Sequence, residues 1–287
     1  MIRQATLQDL SALLDFLRPR VATSMFLSAN LHDHGLNATG HPKATTVWIA
    51  EEDGAVQAVF GCTQRGFLNC EAPVFNPDWS AELRHALSGR RVIGMSGEAG
   101  QMRALRRALG LATRAVSFED TEPHFQLDLA DLIPAPGDTD LRVATTEDAA
   151  LVVGWRWDYD REIHGDDDTP EIRQQSQDHA MELLQTGRLR LLEQGLVPIA
   201  MTGFNAALPE IVQIGSVYTP PALRGQGHAR RAVALHLAEA RKAGVTSAVL
   251  FATGPAAVRA YESIGFTRIG AYTQVLFATP LTTEPPV

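Results

Sequence analysis

The segment IRQATLQD, Ile2 to Asp9, returns as LRVATTED, Leu141 to Asp148: apolar, Arg, any, Ala, Thr, any, Gln or Glu, Asp. Each copy reads as a short strand running into a helix, with Thr6 or Thr145 as N-cap and Asp9 or Asp148 three positions on, a variant of the capping box. A second echo comes in the same order. RRVIGMSGEAGQMRALRRALGL, Arg90 to Leu111, and TSAVLFATGPAAVRAYESIGF, Thr246 to Phe266, both read as buried strand, glycine turn, helix, and a glycine that stops the helix. Two ordered echoes point to a duplicated chain, so the fold of one half constrains the fold of the other. Between the copies, DLIPAPGDTD carries Pro134, Pro136 and Gly137, which break any regular element and suit a linker. The expected domains are residues 1–135 and 136–287.

A length of 287 residues accommodates two domains of ordinary size. With 45% hydrophobic and 20% charged residues the profile is globular, and a net charge of -8 argues against general nucleic-acid binding while favouring neutral or cationic small partners. Cys62 and Cys70 lack a metal-type spacing and read as reduced thiols. No basic region followed by an apolar stretch opens the chain, and no apolar run approaches the ~18 residues that span a bilayer, so a cytoplasmic protein without membrane contact is expected. The closing ATPLTTEPPV is proline-rich and reads as a mobile tail.

The second half reads as two helices, then strand, turn and strand about Gln194 and Gly195, then a β-rich run EIVQIGSVYTP. A helix from about Gln226 to Ala243, a strand SAVLF, a helix from about Ala256 to Ile264 and two closing strands, TRIG and TQVLF, complete it. This order gives an α/β fold with a mixed sheet. In the turn VYTPPALRGQGHARRAV, Gly225 and Gly227 stand at the N-terminal end of an alanine-rich helix. Several N–H groups there lack intrahelical partners, and the peptide dipoles sum to roughly half a positive charge. Glycine lets that backbone approach an anion closely, which suits a pyrophosphate. No lysine followed by a hydroxyl residue comes after Gly227, and Arg230 stands where a dinucleotide fingerprint requires glycine, so neither common nucleotide loop fits.

Arg224-x-x-Gly227-x-Ala229 after VYTPP, with Tyr261-x-x-x-Gly265-Phe266 downstream, resembles the GCN5-related N-acetyltransferases, the GNAT family. The resemblance covers about Leu141 to Phe277. It implies two tandem acyl-CoA N-acyltransferase folds, the C-terminal one complete, with acetyl-CoA as co-substrate and direct acetyl transfer to a primary amine of a small-molecule acceptor. By the same resemblance Val217, Tyr218 and Thr219 pair with the pantetheine arm, while Arg224, Gly225, Gln226, Gly227, His228, Ala229 and Arg230 wrap the pyrophosphate. Tyr261 matches the acid that protonates the leaving thiolate, a task that suits a phenol of pKa about 10. Glu210, at the start of the strand leading to the loop, is the candidate base, with Glu162 and His164 as competitors. One departure from the family pattern is Gly254-Pro255, which replaces an Asn-Pro pair whose Asn contacts cofactor; that contact is not carried over.

The first half has no such loop. Its corresponding helix is entered through FNPDWS, and Arg106 or a neighbour stands where the second half has Tyr261, so it resembles a degenerate copy that keeps the fold without the cofactor chemistry. Its GMSGEAG reads as a turn. The acceptor is expected beside WRWDYDREIHGDDDTPE, where Trp155, Trp157 and Tyr159 form either an aromatic wall or part of the core, and Asp158, Asp160 and Glu162 attract a cation. Asp166 to Asp168 read as a solvated helix start. His32, His34 and His41 lie close together but fix no tetrahedral set, and no metal is expected. A non-catalytic acyl-CoA sensor, another acyl group, or an oxygen or thiol acceptor stand as alternative readings.

Overall fold

The computed structural model describes residues 1–165, apart from the His164 side chain, and 168–283. The first elements are β1 (Ile2–Gln4), α1 (Leu10–Leu17), α2 (Val21–His34), β2 (Thr45–Glu52), β3 (Ala55–Thr63) and β4 (Phe67–Glu71). Then come α3 (Trp79–Ala86), β5 (Arg91–Glu98), α4 (Ala99–Ala108), β6 (Val116–Asp128), β7 (Asp140–Val143), α5 (Ala149–His164) and α6 (Pro170–Gln185). The chain continues through β8 (Leu189–Gln194), β9 (Val197–Ala207), β10 (Ile211–Tyr218), α7 (His228–Lys242), β11 (Ser247–Phe251), α8 (Gly254–Glu262) and β12 (Thr267–Thr282).

Two compact units result: Met1–Glu122 with the chain from Gly270 onward, and Pro123–Ile269. In the first, the strands run in the order β1-β2-β3-β4-β5-β12. Among the described residues β4 and β5 are its parallel neighbours. Alternation along β2 and β3 sends Trp48 and Phe60 to one face with Leu83, Met102 and Leu105 of α3 and α4. Val47, Ile49 and Val59 go to the other, against Leu13, Leu17 and Leu27 of α1 and α2.

The second unit repeats this plan, with strand order β6-β11-β10-β9-β8-β7 and β10 and β11 as its parallel pair. Phe125, Ile214 and Leu250 face α7 and α8, where Val233 and Leu237 are fully buried. Each such side chain contributes roughly 1.5–3 kcal/mol through burial. Leu191, Met201 and Tyr218 face α5 and α6 through Val152, Ala180 and Leu183.

The duplication extends to side-chain geometry. Thr6 and Thr145 cap with φ -113 and -117 and ψ 171 and 175, each in a completed capping box with Asp9 or Asp148. Arg3 grips Asp9 through two bonds of 2.7 Å and Arg142 grips Asp148 at 2.7 and 2.8 Å. Each arginine then reaches a glutamate at 2.8 Å, Glu51 or Glu193.

The compact units do not follow the linker at 135/136. Phe125 and Leu127 of β6 belong to the second core, while β12 pairs with β5 from Tyr272↔Glu98 to Thr282↔Arg91. Periodicity identifies a strand, but its neighbour is chosen by sheet hydrogen bonding, which carries no local signal. The two closing strands expected from TRIG and TQVLF are one strand with a register shift between Leu276 and Leu281, and that shift accommodates Pro280. The tail expected to be mobile therefore lies in the sheet as far as Thr282; residues 284–287 are outside the described residues. The histidine segment, read as loop, is the last turn of α2 up to His34, with His41 stacked on His34 at 4.1 Å. Among the described residues no group of three or more His, Cys, Asp or Glu could hold a metal ion.

Candidate active site

Strands β10 and β11 pair from Ile211↔Ser247 to Ile214↔Leu250 and then part. β11 ends at Phe251 and turns into α8, whereas β10 runs on to Tyr218, so Gly215–Tyr218 face a gap on that side. On its other side β10 stays paired with β9, with register shifts between Gln213 and Ile214 and between Gly215 and Tyr218. Ser216 sits in this irregularity at φ +52, a conformation uncommon for a residue with a side chain. A bulge adds local bend and twist, which is how one strand leaves its neighbour.

A second network holds the bulge. Arg156 of α5, only 7% exposed, donates from Nη1 to Ser216 Oγ at 2.9 Å and pairs with Asp160 at 2.5 and 3.0 Å. Ser176 of α6 donates to the same carboxylate at 2.6 Å, and Ser216 Oγ donates to Asn205 Oδ1 at 3.2 Å. The Asn205 amide lies across Gly215, where any Cβ would overlap it. None of these residues was singled out for the bulge from the sequence; the i, i+4 spacing of Arg156 and Asp160 on a helix was the available signal.

Beyond the gap, Val217 turns toward α7 and α8, and Tyr218 is buried against Trp155 at 6.0 Å. Thr219 is nearly buried, its Oγ1 without a hydrogen-bond partner among the described residues. Gly225 and Gly227 have φ +78 and +81, and Gly227 serves as N-cap of α7 without a side-chain cap. A Cβ on Gly225 would meet open space, whereas one on Gly227 would lie 3.2 Å from Arg230 Nη2. The first helical bond of α7 runs from Arg231 N to Gly227 O. Among the described residues, the N–H groups of Gly225, Gln226, Gly227, His228, Ala229 and Arg230 find no backbone or side-chain acceptor. Arg230 Nε is enclosed and likewise has no partner, while its Nη1 reaches Ser263 Oγ at 3.4 Å. Six consecutive donors and an orphaned guanidinium nitrogen fit a pyrophosphate.

Tyr261 lies on α8, which starts from the same end of β11 as the gap, and it is 8% exposed, edge-on to Phe266 at 6.1 Å. The structure thus gathers Val217, Tyr218, Thr219, the 224–230 loop and the tyrosine helix at one end of the strands. Glu210 is not among them. It is exposed in the turn before β10, where its carbonyl accepts from Thr246 N and Ser247 N at 3.0 and 3.1 Å. Eight residues of extended chain at about 3.3 Å each put it roughly 25 Å from Tyr218, too far to act as base.

The acidic wall is also rearranged. Asp160 is committed to Arg156, and Glu162 to Arg224. Asp158 stays exposed and accepts from the Tyr218 hydroxyl at 3.4 Å. Burial and the nearby Asp158 and Glu162 carboxylates hold the Tyr218 phenol above its usual pKa, so it remains a donor. Trp157 stacks under Arg173 at 4.8 Å, and Arg156 lies 4.8 Å from the Tyr159 ring. Asp168 pairs with Arg173; Asp166, Asp167 and the His164 side chain lie outside the described residues. Gly254-Pro255 still starts α8, after Thr253 as N-cap.

In the first unit the parallel pairing covers only Phe67↔Gly94 and Leu68↔Met95, and past that point side chains stitch β4 to β5 and α4. Asn69 Nδ2 donates to Ser96 O at 2.8 Å, and Gln101 Oε1 accepts from Ala72 N at 2.6 Å. Asp78 stands at the N-cap of α3, where a negative charge opposes an anion, and Arg106 pairs with Glu119 at 2.9 Å. GMSGEAG, read as a turn, runs along β5 into α4, whose N-terminus is capped by Glu98 accepting from Gln101 N at 2.8 Å.

The second unit thus has a mixed α/β sheet whose parallel pair splays at a bulge, followed by an uncapped glycine turn into a helix. Residues 150–266 match the family described as Acetyltransferase (GNAT) family. An acetyltransferase of Agrobacterium fabrum is 44% identical over 55 residues, which are 19% of this chain and 40% of that protein. The match thus spans about two fifths of that relative. A GNAT-family acetyltransferase from Colwellia psychrerythraea is 16% identical, with 96% of this chain and 99% of that one covered at a TM-score of 0.54. A tandem GNAT protein from the clavulanic acid biosynthesis pathway is 12% identical, with 100% and 99% covered at a TM-score of 0.52. The GNAT acetyltransferase match thus lies in the second unit, residues 150–266, and the chain as a whole shares its fold with a tandem GNAT protein.

Proposed function

We propose that the second unit is an acetyl-CoA-dependent N-acetyltransferase that acts on a primary amine of a small-molecule acceptor by direct attack. The observation that carries this reading is the coincidence of two features in one unit: β10 leaves β11 after Ile214, and six unclaimed N–H groups run from Gly225 to Arg230. The open edge of Gly215–Tyr218 suits an extended chain carrying amides, as pantetheine does, and the 225–230 amides suit its pyrophosphate. Acetyl-CoA supplies an activated thioester. The acceptor nitrogen attacks its carbonyl carbon, the C–S bond breaks, Tyr261 donates the proton that makes the departing sulfur a thiol, and the proton shed by the acylated nitrogen returns through water to the Tyr261 phenolate. An alkylammonium of pKa about 10.4 must lose a proton first, and water takes it out of the gap, since Glu210 is remote and Glu162 is paired. Asp158 at the mouth draws the cationic acceptor in. A cytoplasmic location suits the free, buried thiols Cys62 and Cys70, and no described helix is long and apolar enough to cross a membrane.

The test is calorimetric titration with acetyl-CoA, followed by thiol release across a panel of small amines. One site per chain, lost on Gly227→Val, with thiol release for at least one amine, supports the reading. Tight binding without release across the panel would favour a sensor, and no binding would end the proposal.

A further inference from the structure

Resting on that reading, we infer that Arg156 is a positioning residue that keeps the β10–β11 gap open by pinning Ser216 in its left-handed conformation. The bulge begins where parallel pairing stops, at Ile214↔Leu250, and Ser216 at φ +52 is its strained member. A strained φ persists only where surroundings over-determine it. Here Ser216 Oγ is fixed from both sides, accepting from Arg156 Nη1 at 2.9 Å and donating to Asn205 Oδ1 at 3.2 Å. Arg156 cannot shift, because Asp160 holds its other face and Ser176 anchors Asp160 to α6. The pair is 9% and 8% exposed at its side chains, so water offers little substitute for any bond in the chain. Without it Ser216 relaxes toward ordinary extended geometry, and β10 is free to continue along β11 and close the gap.

A buried charge pair whose one member is removed destabilises by leaving the other unpaired, so the informative variant removes both charges, Arg156→Met with Asp160→Leu. If closure leaves a tenth of the molecules competent, the acetyl-CoA Kd rises about tenfold. Glycine adopts positive φ freely, so adding Ser216→Gly to that double variant should restore affinity to within about twofold. Ser216→Val alone, with a β-branched side chain poorly suited to that φ, should weaken binding as the double variant does, and Ser216→Gly should bind more tightly than Ser216→Val. Calorimetry reads affinity, and thermal melting separately reads stability. A double variant that melts lower yet binds as wild type overturns the inference, as does a loss that glycine at 216 fails to rescue. Should the double variant not fold, equal affinity of Ser216→Val and Ser216→Gly overturns it. A wild type that binds no acetyl-CoA overturns the reading itself and this inference with it.

Discussion

Arg224 of the glycine loop is paired with Glu162 of α5, its Nη2 lying 2.9 and 2.6 Å from the two carboxylate oxygens. Its Nε meanwhile donates to Thr219 O at 2.9 Å. The signature arginine is therefore a strut that ties the loop to the strand before it and to the first helix of the unit. The groups left for the proposed pyrophosphate are the amides from Gly225 to Arg230.

Removing that strut should affect binding more than stability. The two side chains are 46% and 40% exposed, and such pairs contribute about 0–1 kcal/mol. Glu162→Gln should leave the melting temperature nearly unchanged, raise the acetyl-CoA Kd about threefold at low salt, and leave the pH–rate profile in place. Abolished turnover with normal affinity would instead make Glu162 the base.

Gly227→Val should abolish detectable acetyl-CoA binding, because positive φ and the close approach of Arg230 both oppose a side chain. Gly225→Ala has the same backbone strain, of order 1–3 kcal/mol, but open space, and should weaken binding less. Calorimetry on the two variants side by side checks the ranking; the reverse order would mean that Gly225 makes the closer approach.

Tyr261→Phe keeps the ring packed against Phe266 and removes only the hydroxyl. Turnover should fall by about 10²–10³ while acetyl-CoA affinity stays within about twofold. Thiol release under saturating substrate measures it, and undiminished release would take the tyrosine out of the chemistry.

Glu210→Gln should be silent. Its backbone carbonyl, which the substitution keeps, holds the turn to Thr246 and Ser247, and the side chain is exposed. A surface change of this kind stays within about 0.5 kcal/mol, and turnover should match wild type. A large fall in kcat would return Glu210 to the site.

Acid should destabilise the fold through buried histidines. Burial lowers the His124 imidazole to about 4 and drives His236 well below its ordinary value. With the folded pKa depressed, the unfolded chain binds the extra proton, so this stability is complete above about pH 6.5 and is lost as pH falls toward 4, at up to ~1.4 kcal/mol per pH unit for each histidine. Glu71, raised by burial, has the opposite sign: its contribution is present in acid and lost as pH rises through its folded pKa. Urea midpoints between pH 7 and 4 should fall in wild type and fall less steeply in His124→Phe. Parallel curves would show that His124 titrates as it does in the unfolded chain.

The sequence by itself determined the features that short range decides. The capping boxes at Thr6 and Thr145 and the glycine turn before α7 each depend on residues within a few positions of one another, and a duplicated pattern implies a duplicated unit. These were legible, and with them the resemblance of the second half to the GNAT family. Tertiary structure decided the rest. That β12 joins β5, that Glu210 lies at the wrong end of β10, and that Asp160 and Glu162 are spent on arginines all depend on partners brought together by sheet register and helix packing. The opening of the gap depends on one serine held at positive φ by an arginine sixty residues earlier. No propensity announces that, because the strain is repaid by bonds that exist only once the helix has packed on the sheet.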